Sequence, residues 1–164
     1  WREIRMLNKI LAFSVLSLVL LLQPARAETQ QNDRELDSFI QALPTLNQQQ
    51  KIQLLDEMVS QVNERYAQRP ETDVLQSMRL SHNFPEKPQL TYTFQLQPAF
   101  RTVLDRNRER FVQLVETGVE QSTPCFPGKM AEAINRMGVR QIHILIRLQN
   151  ETVWEQVRDL PVCR

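Results

Sequence analysis

Apolar and polar positions follow three different rhythms along this chain. The first is a continuous run. After a short basic start, Asn8-Lys9, Ile10 to Leu22 carries two serines and no charge. The run ends in Gln23-Pro24-Ala25-Arg26-Ala27, small residues in the Ala-x-Ala spacing that signal peptidase reads. As a helix, Ile10 to Leu22 would rise only about 20 Å, short of a hydrocarbon core of roughly 30 Å. The pattern therefore predicts a secretory signal peptide over 6–27, with 1–5 as an upstream remnant and 28–164 as a single mature α+β domain.

The second rhythm is helical. Past the polar stretch Glu28 to Asn32, Asp33 can cap a helix carrying Leu36, Phe39, Ile40 and Leu43, which Pro44 stops. Thr45 with Gln48 predicts a capping box for a second helix, with Leu46, Ile52, Leu55, Val59, Val62 and Tyr66 on its inner face. Leu54 and Met58 widen that stripe. Pro98 is expected to open a third helix bearing Phe100, Val103, Leu104, Phe111, Leu114 and Val115, weakening at Gly118. A short helix, Lys129 to Met137, follows Pro127-Gly128 and stops at Gly138.

The third rhythm is alternation. Val74, Met78 and Leu80 predict a strand ending at Phe84, and Pro85 to Pro88 is a tight connection. Leu90, Tyr92, Phe94 and Leu96 then alternate with Thr91, Thr93 and Gln95, which completes a hairpin with one apolar face. Ile142, Ile144, Ile146 and Leu148 share one face of another strand. Beyond the turn Gln149-Asn150-Glu151, Thr152 to Leu160 returns, with Val153 and Val157 on one face and Trp154 on the other. The order α-α-β-β-α-α-β-β predicts an α+β fold: an antiparallel four-stranded sheet of two hairpins, with helices packed on one face.

Charge adds one exclusion. With the leader set aside, 16 basic and 18 acidic residues remain, net −2. Such a chain has no electrostatic footprint for nucleic acid, and no second long apolar run for stable membrane insertion after cleavage. Arg101, Arg106, Arg108 and Arg110 mix with Asp105, Glu109 and Glu116 and read as a salt-bridged helix surface.

Cys125 and Cys163 are the two cysteines, and both lie in the exported part. An even count in an oxidising compartment predicts a disulfide. Closing a loop 38 positions long contributes roughly 3 to 4 kcal/mol.

Several pieces of the chain stand in a recurring order: Val62-Asn63 at a helix end, Pro70-Glu71-Thr72-Asp73 before a strand, and Leu90-Thr91-Tyr92-Thr93-Phe94 within one. Cys125, Gly138-Val139 and Cys163 follow. In this order, from about Val62 to Cys163, the chain resembles a broad group of small, mostly uncharacterised secreted bacterial α+β proteins. Their C-terminal end runs Cys, short helix, Gly, hairpin, Cys. It departs from the group in the last hairpin. There it has Ile142-His143-Ile144 and Gln149-Asn150-Glu151 in place of an aromatic-rich strand and an Asp-Gly-type turn. The resemblance implies an exported, disulfide-bonded domain and brings no catalytic residues with it.

Candidate chemistry is sparse. His82 and His143 sit in predicted strands and, by alternation, on opposite faces, so they do not converge on a metal. Three scattered glycines, Gly118, Gly128 and Gly138, cannot form a phosphate-cradling loop, and Gly-x-Ser-x-Gly is absent. Asp56-Glu57, Glu151 and Glu155 read as solvated carboxylates rather than an acid/base pair, and Tyr92 and Trp154 as packing residues. The sequence thus points to no catalytic residue, no metal and no cofactor. The wide apolar arc of Leu46, Leu54, Leu55, Met58 and Val62 is a candidate surface for an envelope protein or for self-association. The expected role is a non-catalytic periplasmic interaction or accessory protein of the cell envelope. The alternatives are a binder of a small apolar ligand held between sheet and helices, and an envelope-polymer hydrolase.

Overall fold

A computed structural model describes residues 37–122 and 125–163. The predicted leader, the upstream remnant and the Asp33 cap lie outside the described residues. Helix α1 spans 37–42 and tightens into a 3-10 turn, Leu43–Thr45. Helix α2 is Gln48–Ala67, and the first hairpin is β1 (Leu75–His82) with β2 (Gln89–Leu96). Helices α3 (Phe100–Arg106), α4 (Arg108–Ser122) and α5 (Gly128–Arg136) lead to the second hairpin, β3 (Gln141–Leu148) with β4 (Glu151–Asp159). No described helix is long and apolar enough to cross a membrane.

The helix boundaries follow local chemistry. The capping box of α2 is one step later than the sequence suggested. Asn47, not Thr45, is the cap: its Oδ1 accepts from the Gln50 amide at 2.9 Å, and Gln50 Oε1 accepts from the Asn47 amide at 3.0 Å. The Thr45 hydroxyl is occupied instead, donating to Ala42 O at 2.6 Å inside the 3-10 turn. The expected single helix after Pro98 is two. Asn107 ends α3 with φ −156°, and its Oδ1 accepts from the Arg110 amide at 3.0 Å to start α4. The break folds α4 back so that the rings of Phe100 and Phe111 lie 6.1 Å apart. Gly118 is internal to α4, which runs on to Ser122. Helix α5 ends as expected at Gly138. The amides of Gly138 and Val139 donate to Asn135 O and Ile134 O, a Schellman closure that requires the positive φ of Gly138, +104°.

The sheet corrects the main topological expectation. Its order is β1-β2-β3-β4, and the hairpins are antiparallel, but the central pair β2–β3 is parallel, so the sheet is mixed. The register explains the choice. Leu90, Tyr92, Phe94 and Leu96 stand beside Ile142, Ile144, Ile146 and Leu148, which brings the two most apolar rows together at the centre under the helices. Strands β1 and β4, with more polar rows, take the edges. The three helices of the crossover make a parallel return possible.

Strand β4 keeps Trp154 and Val157 on opposite faces, as expected, but carries an irregularity the sequence did not suggest. A bulge at Val153 shifts the register, so Trp154 pairs with Ile146 on the helix-covered face. Val153 is buried at the bulge, while Val157 is 45% exposed on the opposite face.

One sheet edge is partly closed by a side chain. Asn63 on α2 clamps the outer edge of β1: its Nδ2 donates to Leu80 O at 2.8 Å, and its Oδ1 accepts from the Leu80 amide at 2.7 Å. A side-chain amide here replaces a missing neighbouring strand. Past the end of β4, Phe126 forms an isolated parallel bridge with Val162. Its amide donates to Pro161 O at 2.7 Å, and its carbonyl accepts from the Cys163 amide at 2.9 Å. Replacing Asn63 with Ala leaves the backbone polar groups of a buried residue without partners. A loss of about 2 kcal/mol is expected in urea unfolding, and an unchanged midpoint would show the clamp to be energetically idle.

Candidate functional site

The long helix α2 carries two apolar arcs, and they do different things. Leu55 is fully buried in the core together with Tyr66, and Val59 and Val62 pack beside them. One residue away round the helix, Leu54 is half-buried at the edge of the core, on the side of α1. There, with Phe39, Ala42, Leu43 and Leu46, it lines an open apolar groove of about 370 Å³, rimmed by Gln50, Gln53 and Glu57. Of the candidate surface, Leu46 and Leu54 therefore line the groove. Leu55 belongs to the core, and Met58 and Val62 are half-buried against it.

The sequence missed the second wall of this groove. Phe39 is 40% exposed while its neighbour Ile40 is buried. Adjacent helical residues point about 100° apart, so one short helix cannot bury both under a single sheet; that adjacency was the available signal. Helix α1 is docked rather than free. Ile40 and Leu43 are buried, Lys129 Nζ lies 3.1 Å from Asp37 Oδ1, and Arg136 Nη1 donates to Ile40 O at 3.4 Å. The groove therefore has two fixed walls, one from each helix.

Polar side chains elsewhere are arranged as structural pairs. His82 Nε2 lies 2.6 Å from Asp56 Oδ1, which ties β1 to α2, and His82 Nδ1 is buried without a partner. On the other face of the sheet His143 Nε2 lies 3.0 Å from Glu155 Oε2. The two histidines thus point to opposite faces. Among the described residues no three His, Cys, Asp or Glu side chains converge as a metal site would require.

The arginines of α3 and α4 do form ion pairs, and they reach across to the second hairpin. Arg101 Nη1 donates to Glu151 Oε2 at 3.0 Å and Arg101 Nε to Gln149 Oε1 at 3.0 Å, while Arg108 donates to Glu151 Oε1. Hydrogen bonds from Arg108, then Arg101, hold the Glu151 carboxyl below the usual carboxylate range. A carboxylate so neutralised secures the β3–β4 turn and is a poor general acid. Tyr66 and Tyr92 are core residues. Burial pushes the Tyr66 hydroxyl up to about 12 and that of Tyr92 higher still, so both stay protonated at neutral pH. Trp154 packs on the core as expected.

Cys125 and Cys163 are joined in a disulfide, with Cα atoms 4.8 Å apart. The bond ties the segment before α5 to the chain beyond β4, next to the Phe126–Val162 bridge. No family model, curated protein or solved structure matches this chain.

Proposed function

We propose that this is an exported, non-catalytic interaction module of the cell envelope, whose α1–α2 groove receives an apolar segment of a partner protein. The observation that carries the reading is the groove itself, an apolar trough on two fixed helices with a large aromatic, Phe39, held half out of the core. A groove of this shape suits anchors spaced along one helix face. Export to the periplasm is supported by the leader pattern of residues 6–27 and fits the disulfide. Competing readings have less under them. Tyr92 and Phe94, against which a sheet-held ligand would sit, are packed in the core. Glu151 is occupied by two arginines, and Glu155 lies beside His143 on the sheet.

A photo-crosslinking residue at Gln53, on the groove rim, tests the proposal in cells. It is expected to yield one discrete envelope-protein adduct that Leu54→Asp abolishes, while the same probe at Arg69, beyond the groove, yields none. Absence of an adduct from Gln53, or equal adducts from both positions, would overturn it.

A further inference from the structure

The sheet has a second face, opposite the one the core helices cover, made of odd-numbered positions up to the β4 bulge and of Thr152 before it. The register arranges them in three rows across the strands: Ser81–Thr91–His143–Val157, Arg79–Thr93–Leu145–Glu155, and Ser77–Gln95–Arg147–Thr152. Three features of this face go together. The middle row starts with a cation on edge strand β1 and ends with an anion on edge strand β4, and both are exposed. The β1–β2 half carries mostly short side chains, while the β3–β4 half carries longer ones. Two polar atoms on the face are buried without partners: Thr91 Oγ1, on a residue only 6% exposed, and Arg147 Nε.

We infer that this face pairs with the same face of a second copy of the chain, the two-fold axis running along the strands between β2 and β3. That operation lays each β1 over the partner's β4. Arg79 then meets the other copy's Glu155, and the contact occurs twice. The same operation sets the short half of one face against the long half of the other. It places His143 over the opposing Thr91 hydroxyl and Leu145 over Thr93. Face-to-face sheets cross at about 30°, which moves an edge residue by roughly 4 Å, less than the ~7 Å between rows and within an arginine's reach. Four strands about 4.8 Å apart present a face on the order of 20 Å square, below the ~800 Å² per partner of a standard interface. The pairing is therefore weak and concentration-dependent. A contact of this kind leaves the α1–α2 groove free on both copies, so its failure and that of the proposed function are separable.

Sedimentation velocity on the oxidised full chain, up to about 1 mM, tests the pairing. Dimer is expected to accumulate with concentration. Arg79→Glu alone and Glu155→Arg alone should each weaken it about tenfold or more by opposing like charges. An equimolar mixture of the two variants should recover it, because the heterodimer regains both opposite-charge contacts. Leu54→Asp, in the groove, should leave it unchanged. A monomer at every concentration would overturn the inference. So would a dimer indifferent to both charge reversals, a mixture that fails to recover, or a dimer lost with Leu54→Asp.

Discussion

Replacing Cys125 and Cys163 together with serine is expected to lower the unfolding free energy by about 4 kcal/mol. Domains of this size hold only about 5–15 kcal/mol in total, so the change is a large share. The closed loop is 38 positions long and contains α5, β3 and β4, half of the sheet. In the chain-entropy account, most of the effect arises in the unfolded state, whose ensemble expands once the link is gone. A second part is local. Phe126 is buried and its amide and carbonyl are both bonded to the segment beyond β4, a contact the bond holds in place. Cys125 itself is exposed, so serine there leaves no cavity. Urea unfolding of the oxidised protein and of the double-serine variant measures the difference. The reduced wild type should coincide with the variant, and a difference below about 1 kcal/mol would remove the bond from any account of stability.

Gly138→Ala is expected to cost about 3 kcal/mol, although it adds only one methyl group. Two causes act at one atom. The residue sits at φ +104°, where an L side chain is strained. A Cβ added there would lie 2.2 Å from Cε2 of Phe84, in the β1–β2 connection. Phe84 packs against the core, so its ring cannot swing aside freely. A double-mutant cycle separates the two causes. Gly138→Ala in a Phe84→Ala background should retain only the backbone share, about 1–2 kcal/mol. If the cost is unchanged in that background, steric conflict plays no part; if it vanishes, the backbone strain is not real.

The elements were legible where one physical signal dominated. Leu90 to Leu96 and Ile142 to Leu148 alternate so cleanly that each strand announced its buried face, and the register put those faces side by side. Gly138 announced the end of α5 because few other residues tolerate its backbone angle. Alternation tells a strand which side is inside, but it says nothing about which neighbour it takes or in which direction. The parallel β2–β3 pair was therefore invisible. It depends on which two rows are most apolar and on a three-helix crossover, properties of the whole chain. The bulge at Val153 was hidden for a related reason. Trp154 and Val157 kept the opposite faces that alternation gave them, but the extra residue in the strand left no mark in the apolar pattern. The break at Asn107 left a trace, an Asn amid helix formers, but its worth depends on Phe100 meeting Phe111.

The candidate site was half legible for the same kind of reason. Leu46 and Leu54 belonged to the wide apolar arc singled out as a candidate surface, and they do line the groove. Leu55 looked equivalent to Leu54 in the sequence, and the 100° between them decides that one is core and the other is wall. Nothing in the α2 pattern revealed that α1 would fold back to supply Phe39 and Ala42.

The parallel seam at the centre of the sheet also governs how the molecule assembles. Each hairpin closes over a handful of residues and can zip early and alone. The seam joins positions such as Gln89 and Gln141, 52 apart, and cannot form until the intervening chain has turned back on itself. Pairing at the seam therefore carries a larger loop-closure cost than pairing within either hairpin. Severing the chain in α3 or α4, ahead of Cys125, would leave two fragments, each with an intact hairpin and one raw edge, that find one another as strangers in solution.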